Sequence, residues 1–362
     1  MSDTMSSNRT VSPKQAKKSI RKCIKHKRAI FLWGPPGIGK SDTVHQIAAE
    51  QGRKVVDVRL SLWDPTDIKG IPYFNSDTKT MCWAPPEELP KLFESDEILF
   101  LDELNSAAPA TQAAAYQLVL NRKVGTYQLP SKVSIVAAGN RETDKSVTYR
   151  MPAALANRFI HLELRVKFDD WHDWAVEAKI NPQVTGYLNF SKQDLFDFDP
   201  RGSSRAFPTP RTWSFVSELL SDDDGDEDTL TDLISGTIGE GLAIKFMAHR
   251  KVAKQMPKPI DILHGKIKEC SIKEISAMYS LTTSMCYELQ EADQNKVKDW
   301  DKMADNFFDF MMSNFPVEIV VMGAKLALTK YQLPFDSGKM VNFDKFHDKY
   351  GHYVRQAIEA DL

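Results

Sequence analysis

The segment Gly34-Pro35-Pro36-Gly37-Ile38-Gly39-Lys40-Ser41 places three glycines ahead of a primary amine and a hydroxyl. Glycine lets backbone N–H groups approach phosphate oxygens closely, and a helix starting at the same place adds the positive end of its dipole. Lys40 is then set to reach β- and γ-phosphates, and the Ser41 hydroxyl to hold Mg²⁺, so the loop reads as a cradle for ATP. The fixed letters G-x-x-x-x-G-K-S arise by chance in about one chain in a hundred of this length. Here they also have the required setting: the apolar run Ile30–Trp33 before them and an amphipathic run at 43–49 after them.

A second cluster follows the apolar run Ile98-Leu99-Phe100-Leu101, which closes on Asp102-Glu103. This is the pattern of a Walker B strand. Asp102 would join the Mg²⁺ shell beside Ser41, and Glu103, one residue on, would polarise a water for attack on the γ-phosphate. A third apolar run, 133–139, ends at Asn140, whose side chain can reach that water.

Such groups need a scaffold, and the surrounding pattern supplies one. Apolar runs at 54–60, 98–101, 133–138 and 159–164 alternate with helical stretches, which predicts a parallel sheet with ligand at the carboxyl ends of its strands. Ser12-Pro13 predicts a helix start, with Ala16, Ile20, Cys23 and Ile24 as its apolar stripe. Its other face is basic from Lys14 to Arg28. A solvated helix face is the favoured reading over a nucleic-acid patch, because no aromatic offers a stacking surface. The net charge of −2 gives no global reason to expect nucleic acid or an anionic membrane. Four scattered cysteines and eight histidines show no metal spacing, no apolar run reaches membrane-spanning length, and a reducing cytoplasm is expected.

The phosphate loop, the strand ending in Asp102-Glu103, Ala137-Ala138-Gly139-Asn140, and then Pro152-Ala153-Ala154-Leu155-Ala156-Asn157-Arg158-Phe159 together resemble an AAA+ ATPase, and within that class the MoxR-type branch. The resemblance covers about residues 14–250. It implies an α/β fold, a parallel sheet flanked by helices, followed by an α-helical lid; residues beyond about 255 extend past the family core and read as a helical C-terminal extension. The corresponding segments are a flexible tail at 1–12, the nucleotide-binding core at 13–165, the lid at 166–255 and the extension at 256–362.

By the same resemblance Asn140 is sensor 1, Arg158 is an arginine finger reaching a neighbouring subunit's γ-phosphate, and Arg211, in Pro208-Thr209-Pro210-Arg211, is sensor 2. A trans finger implies a ring homo-oligomer, with a hexamer expected. Arg150 is a rival for the finger, and a surface ion pair is the plain alternative for Arg158. Two Pro- and Gly-broken stretches, 64–86 and 122–130, are expected to be hairpins. They resemble the helix-2 insert and the pre-sensor-1 hairpin that face the pore in related proteins, and ordinary solvent hairpins are the alternative.

The resemblance further implies remodelling of a partner protein, with a von Willebrand factor A-domain protein as the expected adaptor. A nucleic-acid motor or restriction/helicase-type subunit is the alternative, and a nucleotide-dependent scaffold without turnover is a third reading. The acidic run at 222–228 lacks the ligand spacing of a calcium loop and reads as a solvated linker. Helices are expected at 171–180, 236–250, 305–312 and 317–328. The apolar side chains Phe307, Phe308, Phe310, Met311, Val320, Val321 and Met322 are expected either to form core or to dock a partner.

Overall fold

The computed structural model describes residues 9–91, 95–144, 148–222, 224–271 and 273–360; the first eight residues of the expected N-terminal tail lie outside them. The chain divides into two compact units, Met1–Asp170 with Phe198–Ser203, and Trp171–Asp197 with Ser204–Leu362.

Among the described residues the first unit carries ten strands: β1 (Thr10–Val11), β2 (Ile30–Trp33), β3 (Val55–Arg59), β4 (Ile71–Asn75), β5 (Thr80–Ala84), β6 (Ile98–Asp102), β7 (Lys123–Val124), β8 (Tyr127–Gln128), β9 (Ser134–Gly139) and β10 (Ile160–Leu164). Six of them form one parallel sheet in the order β1-β10-β2-β9-β6-β3. The central strands are apolar on both faces because helices cover both. Ile30 and Leu32 face a core with Ile20, Val44, Ile47, Phe100 and Val136. Phe31, pointing the other way as strand alternation requires, packs with Leu99, Leu101, Leu118 and Ala137. Burying a side chain such as Phe31 contributes about 2–3 kcal/mol, so each strand is held from both sides.

The expected helix at Pro13–Lys25 starts with a capping box. Ser12 Oγ accepts from the Gln15 N–H at 3.4 Å, and Gln15 Oε1 accepts from the Ser12 N–H at 3.0 Å. Part of its basic face is drawn into ion pairs with Glu50, from Lys17 at 3.1 Å and from Arg21. Both expected hairpins form, β4 with β5 and β7 with β8. A short helix, Pro65–Lys69, precedes the first, and Thr126 Oγ1 donates to the Trp83 carbonyl at 2.6 Å, pinning one hairpin to the other. Ile71, Tyr73, Phe74 and Met81 on the first hairpin are exposed.

The second unit is helical. One core runs from Val176 through Leu281, Phe307 and Phe308 to Val354. Phe307, Phe308, Phe310, Met311 and Val320 are buried in it, with the ring of Phe346, on the helix Val341–Glu359, tilted against that of Phe308 at 4.8 Å. Of the two readings offered by that apolar stretch, core is the one observed, because this last helix covers it.

The expected continuous helix at 236–250 is two helices, Glu227–Ile238 and Glu240–Ala253, broken at Gly239 with φ 93°. The acidic run is partly structured as well. Asp226 caps the first of these helices through Thr229, and Glu227 pairs with Arg250 at 2.7 Å.

His249 lies 6% exposed between the rings of Tyr187 and Phe190, and neither of its nitrogens has a hydrogen-bond partner among the described residues. Burial pushes its imidazole down to about 4, and that of His172 down to about 3, from an ordinary value of 6.5. Between about 6.5 and 4 the unfolded chain therefore binds protons that the folded chain refuses. This stability is complete above pH 6.5 and is lost as the pH falls. His249→Phe keeps the aromatic packing and removes the titration. The variant is expected to lose about 2 kcal/mol less than the parent between pH 7.5 and pH 5 in urea unfolding. An identical pH slope in both proteins would refute a neutral buried His249.

Candidate active site at the strand ends

Because β2 and β9 are neighbours in the sheet, their carboxyl ends bring residue 34 beside residue 139, with the Gly34 N–H donating to the Gly139 carbonyl at 3.3 Å. The loop between β2 and the helix Lys40–Glu50 turns through Gly37 at φ 75° and Gly39 at φ 86°, conformations costly for any residue with a Cβ. The first N–H groups of an 11-residue helix thus open toward the same space as the loop. This is the setting read from Gly34, Pro35, Pro36, Gly37, Ile38 and Gly39.

Lys40 Nζ donates to the Gly34 and Pro35 carbonyls at 2.7 and 2.9 Å and to Asn140 Oδ1 at 2.9 Å. The ammonium therefore sits among oxygens at the mouth of the loop. Ser41 Oγ donates to Asp102 Oδ2 at 3.0 Å, and Asp102 Oδ1 accepts the Glu103 N–H at 2.9 Å. Burial pushes the Asp102 carboxyl above the usual carboxylate range, against the pull of these two hydrogen bonds. A hydroxyl and one carboxylate are hard oxygen donors, the kind Mg²⁺ takes when phosphates supply the rest of its shell. Among the described residues no cluster of three or more His, Cys, Asp or Glu side chains forms an alternative metal site.

Glu103 has a left-handed backbone, φ 53° and ψ 34°, which costs a residue with a Cβ about 1 kcal/mol or more. The turn takes its carboxylate away from Asp102 and onto the hydroxyl of Ser61, just past the end of β3. Ser61 was not among the residues singled out from sequence. Its signal is the pairing of Arg59 with Asp102, which only the strand order reveals.

Two further groups frame Asn140. Asn105, 1% exposed, donates from Nδ2 to the Asn140 carbonyl at 2.7 Å, and its own carbonyl accepts the Tyr149 N–H at 2.7 Å. A Cβ at residue 139 would lie 1.9 Å from Asn105 Oδ1, so only glycine fits there. On the other side Arg141 bonds Asp144 at 2.8 Å and Glu163 of β10 at 2.9 Å.

At the strand ends the structure thus bonds Lys40 to Asn140 and Ser41 to Asp102, while the Glu103 carboxylate is held by Ser61. Arg158 is bonded to none of these side chains among the described residues. The residue is exposed, one turn after the short helix Ala153–Ala156 and immediately before Phe159 and β10, and its guanidinium has no partner among the described residues. Arg150 is exposed in the preceding segment. Arg211 belongs to the second unit, exposed in the first turn of the helix Pro210–Ser221, whose start is fixed by a Thr209–Thr212 capping box.

The model of the ATPase family associated with various cellular activities (AAA) matches residues 29–161, the segment that holds the Lys40–Asn140 and Ser41–Asp102 bonds. The large subunit of replication factor C from Pyrobaculum calidifontis is 53% identical over 38 residues, 10% of this chain and 9% of that protein. Midasin from Giardia intestinalis is 26% identical over 198 residues, 51% of this chain and 4% of that protein. The chain spans less than a tenth of the length of these two curated relatives. Among solved structures, the RuvB Holliday junction branch migration motor of Thermotoga maritima is 16% identical, covering 83% of this chain and 86% of its own, with a TM-score of 0.37. NtrX from Brucella abortus is 16% identical, covering 71% of this chain and 62% of its own, with a TM-score of 0.39.

Proposed function

We propose that this chain, whose residues 29–161 match the model of the AAA ATPase family, hydrolyses ATP as a ring homo-oligomer, expected to be a hexamer, and uses the cycle to remodel a partner protein. The observation that supports the ATPase reading best is the bonded set at the strand ends, with Lys40 on Asn140 and Ser41 on Asp102. In this reading the loop N–H groups and Lys40 bind the β- and γ-phosphates. Glu103, released from Ser61, accepts a proton from the attacking water, and Asn140 orients that water. Mg²⁺ held by Ser41 and Asp102 would neutralise charge on the phosphate oxygens.

Arg158 is read as the finger that acts on the neighbouring subunit, supported by its exposure and its lack of a partner among the described residues. Arg211 is read as sensor 2, supported only by its exposed place at a helix start. The MoxR-type resemblance of the motif order carries the chaperone-like role, the von Willebrand factor A-domain adaptor and the pore-facing hairpins. Four free cysteines suit a reducing cytoplasm, and among the described residues no helix is long and apolar enough to cross a membrane.

The nucleic-acid motor keeps one specific support, the exposed basic residues Lys14, Lys18, Lys22 and Lys25. Steady-state hydrolysis tests these readings together. Mg²⁺-dependent turnover is expected, with a specific activity that rises about tenfold as protein concentration carries the chain into rings, since the finger comes from a neighbour. Binding without turnover in the assembled ring would favour the scaffold. Stimulation by DNA, with steep salt dependence, would favour the motor.

A further inference from the structure

Three residues beyond Arg158, the imidazole of His161 bridges two parts of the first unit. Its Nδ1 accepts the indole N–H of Trp33 at 2.9 Å, and its Nε2 lies 2.8 Å from the Ala156 carbonyl. Acceptance at Nδ1 requires that nitrogen to be unprotonated, so the proton is on Nε2 and is donated to Ala156. Ala156 closes the short helix Ala153–Ala156 just before Asn157 and Arg158, and Trp33 is the last residue of β2 before the phosphate loop begins at Gly34.

Rings continue the connection. Trp33 stacks on Phe31 at 4.2 Å and on His161 at 5.9 Å, and Phe31 meets Phe159 edge-on at 5.5 Å. The chain Trp33–His161–Ala156 is thus a strut with one foot at the phosphate loop and the other at the base of Arg158. Packing does not account for it: His161 is exposed, and the cores on either side of the sheet are closed by Phe31, Phe159, Leu32 and Leu162 without it.

We infer that His161 is a positioning residue for Arg158, fixing the backbone that carries the finger to the strand that ends in the phosphate loop of the same subunit. The inference rests on reading Arg158 as a finger that acts on the neighbouring site. Through the strut, a displacement of the loop by nucleotide in one subunit is passed to the finger offered to the next. The ring needs such a link if its sites are to fire in relation to one another.

His161→Ala, His161→Gln and Trp33→Phe test this in the full chain, each alone and mixed with Lys40→Ala protein, beside Arg158→Ala treated identically. His161→Ala is expected to lower kcat about tenfold through misplacement of the finger, with ATP affinity within about twofold of the parent. Trp33→Phe keeps the ring and loses the donor, and should shift kcat in the same direction. His161→Gln, whose amide offers both an acceptor and a donor, should recover turnover to within about threefold of the parent.

Mixing should relieve the His161→Ala loss, because Lys40→Ala subunits bring intact fingers to its sites. Parental turnover in His161→Ala overturns the inference. So does a loss that mixing leaves in place while Arg158→Ala is relieved, since the defect would then lie within the variant's own site. If Arg158→Ala keeps parental turnover, or is not relieved by mixing, the finger reading fails and the strut's role fails with it.

Discussion

Glu103→Gln is expected to retain ATP and to hydrolyse it at least about a hundredfold more slowly than the parent, the loss typical of removing a general base. The geometry makes this substitution clean. Glutamine keeps the size of the side chain, and its amide oxygen can still accept from Ser61, so the left-handed turn after Asp102 need not move. Only the capacity to take a proton is gone. Lys40→Ala is expected to fail one step earlier. It removes the ammonium that bonds two loop carbonyls and Asn140, and with it the charge that holds the phosphates, so binding itself should be lost.

Equilibrium binding of a fluorescent ATP analogue, followed by single-turnover hydrolysis, separates the two cases. Equal affinity in Lys40→Ala and the parent would sink the cradle reading, and undiminished single-turnover rates in Glu103→Gln would take the base away from Glu103. If the chain forms rings and acts on a partner as proposed, the ATP-bound ring of Glu103→Gln is also the form in which that partner should be retained on affinity capture. The identity of that partner decides between remodelling and nucleic-acid work.

The residues of the candidate site were legible in the sequence because each of its parts is local. A glycine-rich turn, an amine and a hydroxyl must be contiguous to cradle a phosphate, and an acidic pair must follow an apolar run to stand at a strand end. The supporting groups are not local. Ser61 holds Glu103 from 42 residues away, and Asn105 holds the Asn140 carbonyl from 35 residues away. Both depend on β3, β6 and β9 lying side by side, an order no spacing announces.

The sheet itself was readable for the same reason as the loop, since strands buried on both faces are short apolar runs. In the second unit the helices were readable but their ends were not. Gly239 breaks an apolar pattern that would otherwise run on, and whether Phe307 and Phe308 face solvent is decided by Phe346 and Tyr350, which arrive nearly forty residues later. Periodicity identifies a stripe, and only the fold identifies what covers it.

Arg158→Ala is expected to bind ATP with parental affinity and to lose about a thousandfold in turnover, the scale of removing a charge that acts only on the transition state. Its place in the structure gives the expectation its form. The side chain is exposed and has no partner among the described residues, which suits the proposal that the site it serves belongs to another copy. A defect in a residue that serves another subunit can be complemented by mixing.

If the chain forms rings and Arg158 is the finger, as proposed, rings of Arg158→Ala alone lack fingers, and rings of Lys40→Ala alone lack sites. A mixed ring holds junctions where an intact site faces an intact finger. Hydrolysis in a one-to-one mixture is therefore expected to exceed that of either variant alone by at least about tenfold, while falling short of the parent because only a fraction of junctions are complete. Arg150→Ala, run in the same way, should behave as the parent. If instead Arg150→Ala shows the loss and the complementation, the finger is Arg150. If neither mixture recovers, hydrolysis is completed within one subunit and the ring is not required for chemistry.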